Sequence, residues 1–233
     1  MKDSGLNRWM GFLGLATVVA LFLGFGPFGG DGPGENASGV SVAHWYNTHV
    51  AMSYASIYCV GLGIALLLIF ATQMRAVLRA TGSKGPWANA SFGAGIIFIA
   101  GVVVLGTFQV TLILAAHNRE YAIAKLVNFF SQNNELVIMF GICLLTLTTG
   151  LAILLGRSPA SLPKTLGWYS IVVAVVSTLG PLAAFAFAFG FPIWLIATGF
   201  VVATKQRRGT LAPPSSDAAA AASSSPAAQL VTT

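Results

Sequence analysis

Residues 167–204 read GWYSIVVAVVSTLGPLAAFAFAFGFPIWLIATGFVVAT, without one charged side chain or histidine. As a single helix this stretch would reach about 57 Å, nearly twice the roughly 30 Å hydrocarbon thickness of a bilayer. It therefore reads as two spans joined by a tight turn. Two breakers offer themselves, Gly180-Pro181 and Gly190-Phe191-Pro192. A turn at the first leaves a leading half too short to cross. A turn between Phe187 and Pro192 leaves about 22 residues before it and a compact span after it. The expectation is that second turn, with spans 167–187 and 190–204 and Pro181 as a kink in the fifth helix.

Four further apolar runs precede this one, over about 9–28, 51–72, 90–116 and 136–155. Each has the roughly 20 residues that a membrane helix needs. The fold class read from the chain is all-α, a polytopic membrane bundle of six transmembrane helices. Composition agrees: of 233 residues, 56% are hydrophobic and 8% charged. Soluble domains carry roughly 25% charged residues, so a soluble enzyme is excluded. Two cysteines, Cys59 and Cys143, both inside spans, exclude a disulfide scaffold. The first run is longer than the apolar core of a signal peptide and is expected to remain as a helix.

Charge sets the expected orientation. Lys2, Arg8, Arg75, Arg79, Lys84, Arg157, Lys164, Lys205, Arg207 and Arg208 fall on one side of a six-span layout, and only Arg119 and Lys125 on the other. By the positive-inside rule both termini are cytoplasmic. The layout is a cytoplasmic N-terminus at 1–8, a membrane domain at 9–208 and a cytoplasmic tail at 209–233. The Pro-, Ser- and Ala-rich tail reads as disordered. The net charge of +6 is a topology signal; scattered basic residues at span ends do not make a nucleic-acid patch.

No Asp, Glu, Lys, Arg or His falls mid-span, which argues against a proton pump, an ion-coupled carrier or a voltage sensor. No histidine pair lies inside the bundle to hold haem, and no cofactor is expected. Uncharged polar residues do lie at depth. Thr107, Gln109 and Thr111 are the intramembrane candidates, with interhelical bonding or back-bonding to the same helix as the structural alternative. Gln109 stands out, because a long amide needs a partner in a low dielectric. Glycines recur in the first three helices at Gly11, Gly14, Gly61, Gly63, Gly93, Gly95, Gly101 and Gly106, and read as sites of close helix approach.

The outer rim carries the remaining candidates. His44, Trp45, Tyr46 and His49 precede the second span, His117 and Glu120 follow the third, and Glu135 opens the fourth. Two readings stay open: a converging metal or polar-ligand site, or an aromatic belt with histidines solvated at the rim. His44 and His49 are five apart, about 140° around a helix, so they do not make an i, i+4 metal pair. Residues 119–132 alternate apolar and polar positions at helical spacing and predict a short amphipathic helix that caps the bundle or lies in the interface. Asn36-Ala37-Ser38 fits a glycosylation sequon, relevant only in a eukaryotic secretory pathway.

Certain residues also carry a family likeness. They are Trp45-Tyr46-Asn47-Thr48-His49, Met74-Arg75-Ala76-Val77-Leu78-Arg79, Arg157-Ser158-Pro159, Pro163 to Trp168 and Pro192 to Thr198. In that order the chain resembles the six-helix integral membrane proteins common in actinobacteria, a group with no assigned activity. The resemblance spans about residues 8–204. It implies a six-helix fold in the plasma membrane and transfers no catalytic residue. The functional expectation is a non-enzymatic assembly or ligand-sensing component of a bacterial inner membrane. Its partners would be the bilayer and either a second copy or another membrane protein. The alternatives are a permease-like carrier for a small neutral or lipidic molecule, and a membrane enzyme with a metal at the outer rim.

Overall fold

The computed structural model describes residues 9–29, 32–80, 86–133, 135–156, 162–179 and 181–207. The expected N-terminal segment 1–8, the tail 209–233 and the loop residues Lys84 and Arg157 lie outside the described residues. Every regular element among the described residues is helical. They are α1 Met10–Phe25, α2 Gly39–Thr48, α3 Val50–Ala80, α4 Trp87–His117, α5 Tyr121–Asn133, α6 Glu135–Leu154, α7 Lys164–Val176 and α8 Pro181–Phe185. A π-helical turn, Ala186–Gly190, then leads into α9 Phe191–Arg207. Among the described residues, four helical stretches are long and apolar enough to cross a membrane: Val50–Ala80, Trp87–His117, Tyr121–Leu154 and Leu182–Lys205.

Among the described residues, α1, α3, α4, α6, α7 and the helical stretch 181–207 form the legs of the bundle. α1 packs on α3, α3 on α4, α4 on α6, α6 on α7, α7 on α9, and α9 returns to α1. This closes a ring around a core whose centre is aromatic. Phe98 and Phe191 lie 5.3 Å apart, Phe191 and Trp194 5.8 Å, and Phe70 and Trp194 6.3 Å. Three of the seams have backbones close enough that only glycine fits. A Cβ added at Gly14 would lie 2.7 Å from the Leu195 carbonyl oxygen, and one at Gly199 2.5 Å from that of Met10. Gly141 meets the Phe98 backbone and Gly150 the Gly167 carbonyl in the same way. Large apolar side chains are exposed on all six legs, from Phe12 and Phe22 on α1 to Trp168 on α7 and Phe200 on α9. Soluble proteins rarely leave so much contiguous apolar surface uncovered.

One end of the bundle is basic, with Arg75, Arg79, Lys164, Lys205 and Arg207 at helix ends. The other is capped by α2 and α5. A small separate core joins the cap to α4: Val42, Ala43 and Tyr46 of α2 pack with Leu112, Ile113 and Ala116 of α4 and Ala124 of α5. The α4–α5 turn places Arg119 at φ 59°, and Glu120 N–H donates to Ala115 O at 2.8 Å. That is the left-handed helix stop usually given to glycine. The amphipathic helix expected over 119–132 is α5. The ten-residue α2 was not expected; its sequence signal is Ser38, whose Oγ accepts from Ser41 N–H at 3.2 Å as an N-cap.

The last apolar stretch departs from expectation. The chain leaves helix at Ser177–Leu179 and is helical again over 181–207, so the helix break comes before Pro181 and not between Phe187 and Pro192. Contacts across the pair fix this register. Trp194 Nε1 donates to Ser170 Oγ at 2.7 Å, and Tyr169 Oη donates to Gly190 O at 3.1 Å. Spans 167–187 and 190–204 become a 13-residue α7 and a helical leg over 181–207. The physical reason lies with the two prolines. The residue before a proline is biased away from helix, and proline fits the first turn of the next one, so Pro181 opens a new helix. Pro192 is absorbed instead by the π turn, where Phe191 N–H reaches back five residues to Ala186 O. The length rule assumed that each leg must cross alone. α7 is instead held along its side by α6 and α9. The second span also exceeds its expected end at 72, because α3 continues as helix to Ala80.

Candidate functional site

The site is built from a splayed helix pair. At the basic end α3 and α4 are pinned together. Arg75 Nε and Arg79 Nη2 both donate to Asn89 Oδ1, at 3.0 and 2.7 Å, and the Arg75 guanidinium stands 5.1 Å over the Phe92 ring. One further turn along, Gly95 and Ala71 are in tight contact. Toward the capped end the pair separates. No residue of α4 between Val102 and Leu112 is buried.

The separation leaves a cleft of about 520 Å³, within the range of small-molecule sites. α3 lines it with Ser56, Ile57, Val60, Gly61 and Ile64, and α4 with Val102, Val103, Leu105, Gly106 and Gln109. The end of α1 closes one side at Gly24 and Phe25. Above it lie Tyr46 of α2, Ser131 and Gln132 of α5, and the loop glycines Gly32 and Gly34. None of these residues is charged. The loop is tied down from α5: Asn128 Nδ2 donates to Gly34 O at 3.1 Å, and Gln132 Nε2 to Pro33 O at 3.3 Å. Asn128 is 1% exposed, so its amide is committed to that loop.

Gln109, the intramembrane residue marked out by its amide, lies in this cleft and makes no hydrogen bond among the described residues. Thr107 and Thr111 do not join it. Thr107 Oγ1 donates to Val103 O at 3.1 Å and Thr111 Oγ1 to Thr107 O at 2.9 Å, back-bonding within α4. The glycine expectation divides. Gly14, Gly63, Gly95 and Gly101 are packing glycines, whereas Gly61, Gly93 and Gly106 have open space where a Cβ would stand. Gly61 and Gly106 line the cleft: on those two turns the missing side chain makes room instead of contact.

The rim residues group differently from a metal site. Trp45 stacks on His49 with ring centroids 4.6 Å apart and meets Tyr46 edge-on at 4.8 Å. His49 Nδ1 lies 2.9 Å from Trp45 O and 3.0 Å from Thr48 Oγ1. That ring nitrogen is thereby occupied locally. Burial pushes the Tyr46 phenol up to about 12. His44, His117 and Glu120 are exposed. The Glu135 side chain lies outside the described residues. Among the described residues, no three His, Cys, Asp or Glu side chains come close enough to hold a metal ion. Cys59 and Cys143 are free thiols.

The cleft was only partly readable in the chain. Gln109 was visible as a lone amide at depth, but Gly61 and Gly106 looked like every other helix glycine. No family model, curated protein or solved structure matches the chain. The features that define it are a helical bundle with apolar legs and an uncharged cleft beneath a two-helix cap.

Proposed function

We propose that the protein is a non-enzymatic, multi-pass component of a bacterial inner membrane that senses a small ligand bound in the α3–α4 cleft. In this reading the six legs are six spans, both termini are cytoplasmic and the capped end faces outward. The apolar exterior of all six legs and the gathering of basic residues at one end support that topology. The observation that carries the function is the cleft itself: of its two glutamine amides, Gln132 is committed to the Pro33 carbonyl, and Gln109 makes no side-chain hydrogen bond among the described residues.

Sensing is favoured over passage by where the cleft stops. Below Val102 and Ile64 the ring is filled by Phe70, Phe98, Phe191 and Trp194, all buried. A carrier would have to move that cluster at every cycle. A sensor needs only that occupancy change how α2 and α5 sit, and Tyr46, Ser131 and Gln132 connect the cleft to both.

The experiment is native mass spectrometry from mild detergent, comparing wild type with Gly61→Val. Wild type is expected to carry an organic-extractable bound mass that the variant lacks, and the variant is expected to melt with ligand-stripped wild type. Wild-type protein with no bound mass, whose melting temperature no membrane lipid extract raises, would overturn the reading. Labelling of a cysteine placed in the tail by an impermeant reagent on intact cells would reverse the orientation.

A further inference from the structure

We infer that the cleft takes an uncharged amphiphile, its hydrogen-bonding head beside Gln109 and its hydrocarbon chain running out between α3 and α4 into the bilayer. This rests on the reading of the cleft as the ligand site.

Three observations set the chemistry. First, among the described residues no lining residue is charged. A charged head would lose its hydration there with no counter-charge in the lining to replace it. Second, the lining is graded along its length. Ile64, Val60 and Val102 lie at the deep end, and Gln109 lies about 12 Å in from the end of α4 at His117, nearer the cap. Ser131 and Gln132 are above it. The free Gln109 amide offers both a donor and an acceptor, which suits a hydroxyl or a carbonyl head.

Third, the exposed lining residues fall in two places. Gly32 and Gly34 are exposed in the loop at the capped end. Gly61 and Val103 are exposed midway along apolar helices, beside the exposed side chains of Leu62 and Val104. One opening therefore lies toward the cap and the other in the apolar wall. A molecule with one polar and one apolar end satisfies both openings together. A purely polar solute leaves the wall side unmatched, and a pure hydrocarbon leaves Gln109 unpaired.

The test uses three photoreactive diazirine probes of one chain length, a long-chain alcohol, the carboxylate and the trimethylammonium, in nanodiscs of zwitterionic lipid. Peptide mapping is expected to place the alcohol on residues 57–64 and 102–109, above the labelling of other lipid-facing segments. Gln109→Leu, close in size to wild type, is expected to cut that labelling about fivefold to tenfold at unchanged melting temperature, the loss of one hydrogen bond. Gly106→Val is expected to abolish it by filling the space. Cleft labelling by a charged probe as strong as by the alcohol overturns the ligand class and leaves the site standing. Gln109→Leu that labels like wild type overturns the head-group position. No probe labelling the cleft above background overturns both the class and the site.

Discussion

The two halves of the α3–α4 pair are made from similar residues and do opposite things. In the basic half Arg75 and Arg79 share the Asn89 carbonyl, Gly95 seats Ala71, and the Phe70–Trp194–Phe191–Phe98 cluster closes the ring behind them. In the capped half the same helices stand apart, and Gly61 and Gly106 face open space. Glycine removes a side chain in both places. Where a neighbouring backbone comes in, as Leu195 does at Gly14, the result is a seam. Where none does, the result is a cavity. α2 and α5 keep the capped half together with a second core, so the opening costs no loss of support at that end.

That contrast can be broken most severely at Trp194, which is 1% exposed and bonded to Ser170. Trp194→Ala is expected to destabilise the basic half by about 3–5 kcal/mol, read as a lowered melting temperature in detergent. A paired substitution sharpens the comparison. Gly14→Val should cost about 1–3 kcal/mol, because the Leu195 carbonyl is backbone and cannot swing aside. Gly61→Val should stay within about 0.5 kcal/mol, having nothing to displace. Equal costs at the two glycines would erase the distinction between the halves.

At the cap, Asn128→Leu should cost about 1–3 kcal/mol, since the Pro33 and Gly34 carbonyls lose a buried donor. Hydrogen exchange should then quicken in the loop and in α5 while the α1–α9 seam stays protected. The smallest effect at neutral pH belongs to Tyr46. Its folded value is raised from 10.0 to about 12 by burial, so the neutral phenol is favoured in the folded state. Its contribution is fully present below pH 10 and is lost as pH rises through about 12. Tyr46→Phe should flatten the alkaline limb of a stability–pH profile and leave the neutral region level.

Much of the architecture was legible because membrane helices obey a length rule and a charge rule that act on single residues. The apolar runs, the basic ends of the legs and the amphipathic α5 all follow from hydropathy and its period. The last hairpin did not follow, because two Pro-containing breakers compete in one apolar stretch. Sequence length favoured the later one. The fold uses the earlier, since α6 and α9 support a short α7 and the π turn accommodates Pro192. The rim histidines left two readings open in the sequence. Their residue types suggested coordination, but His49 is occupied by Trp45 and Thr48, while His44 and His117 stand exposed.

By itself, then, the sequence determined the solvent. Its 8% charge and long uncharged runs suit only a lipid-facing helical chain, and they single out Gln109 as an amide at depth. Tertiary structure alone decided what Gln109 meets and which glycines seal or open. Both are relations between helices distant in the chain. A glycine codes only the absence of a side chain, and whether a neighbour fills that absence depends on how far apart the two backbones come to rest.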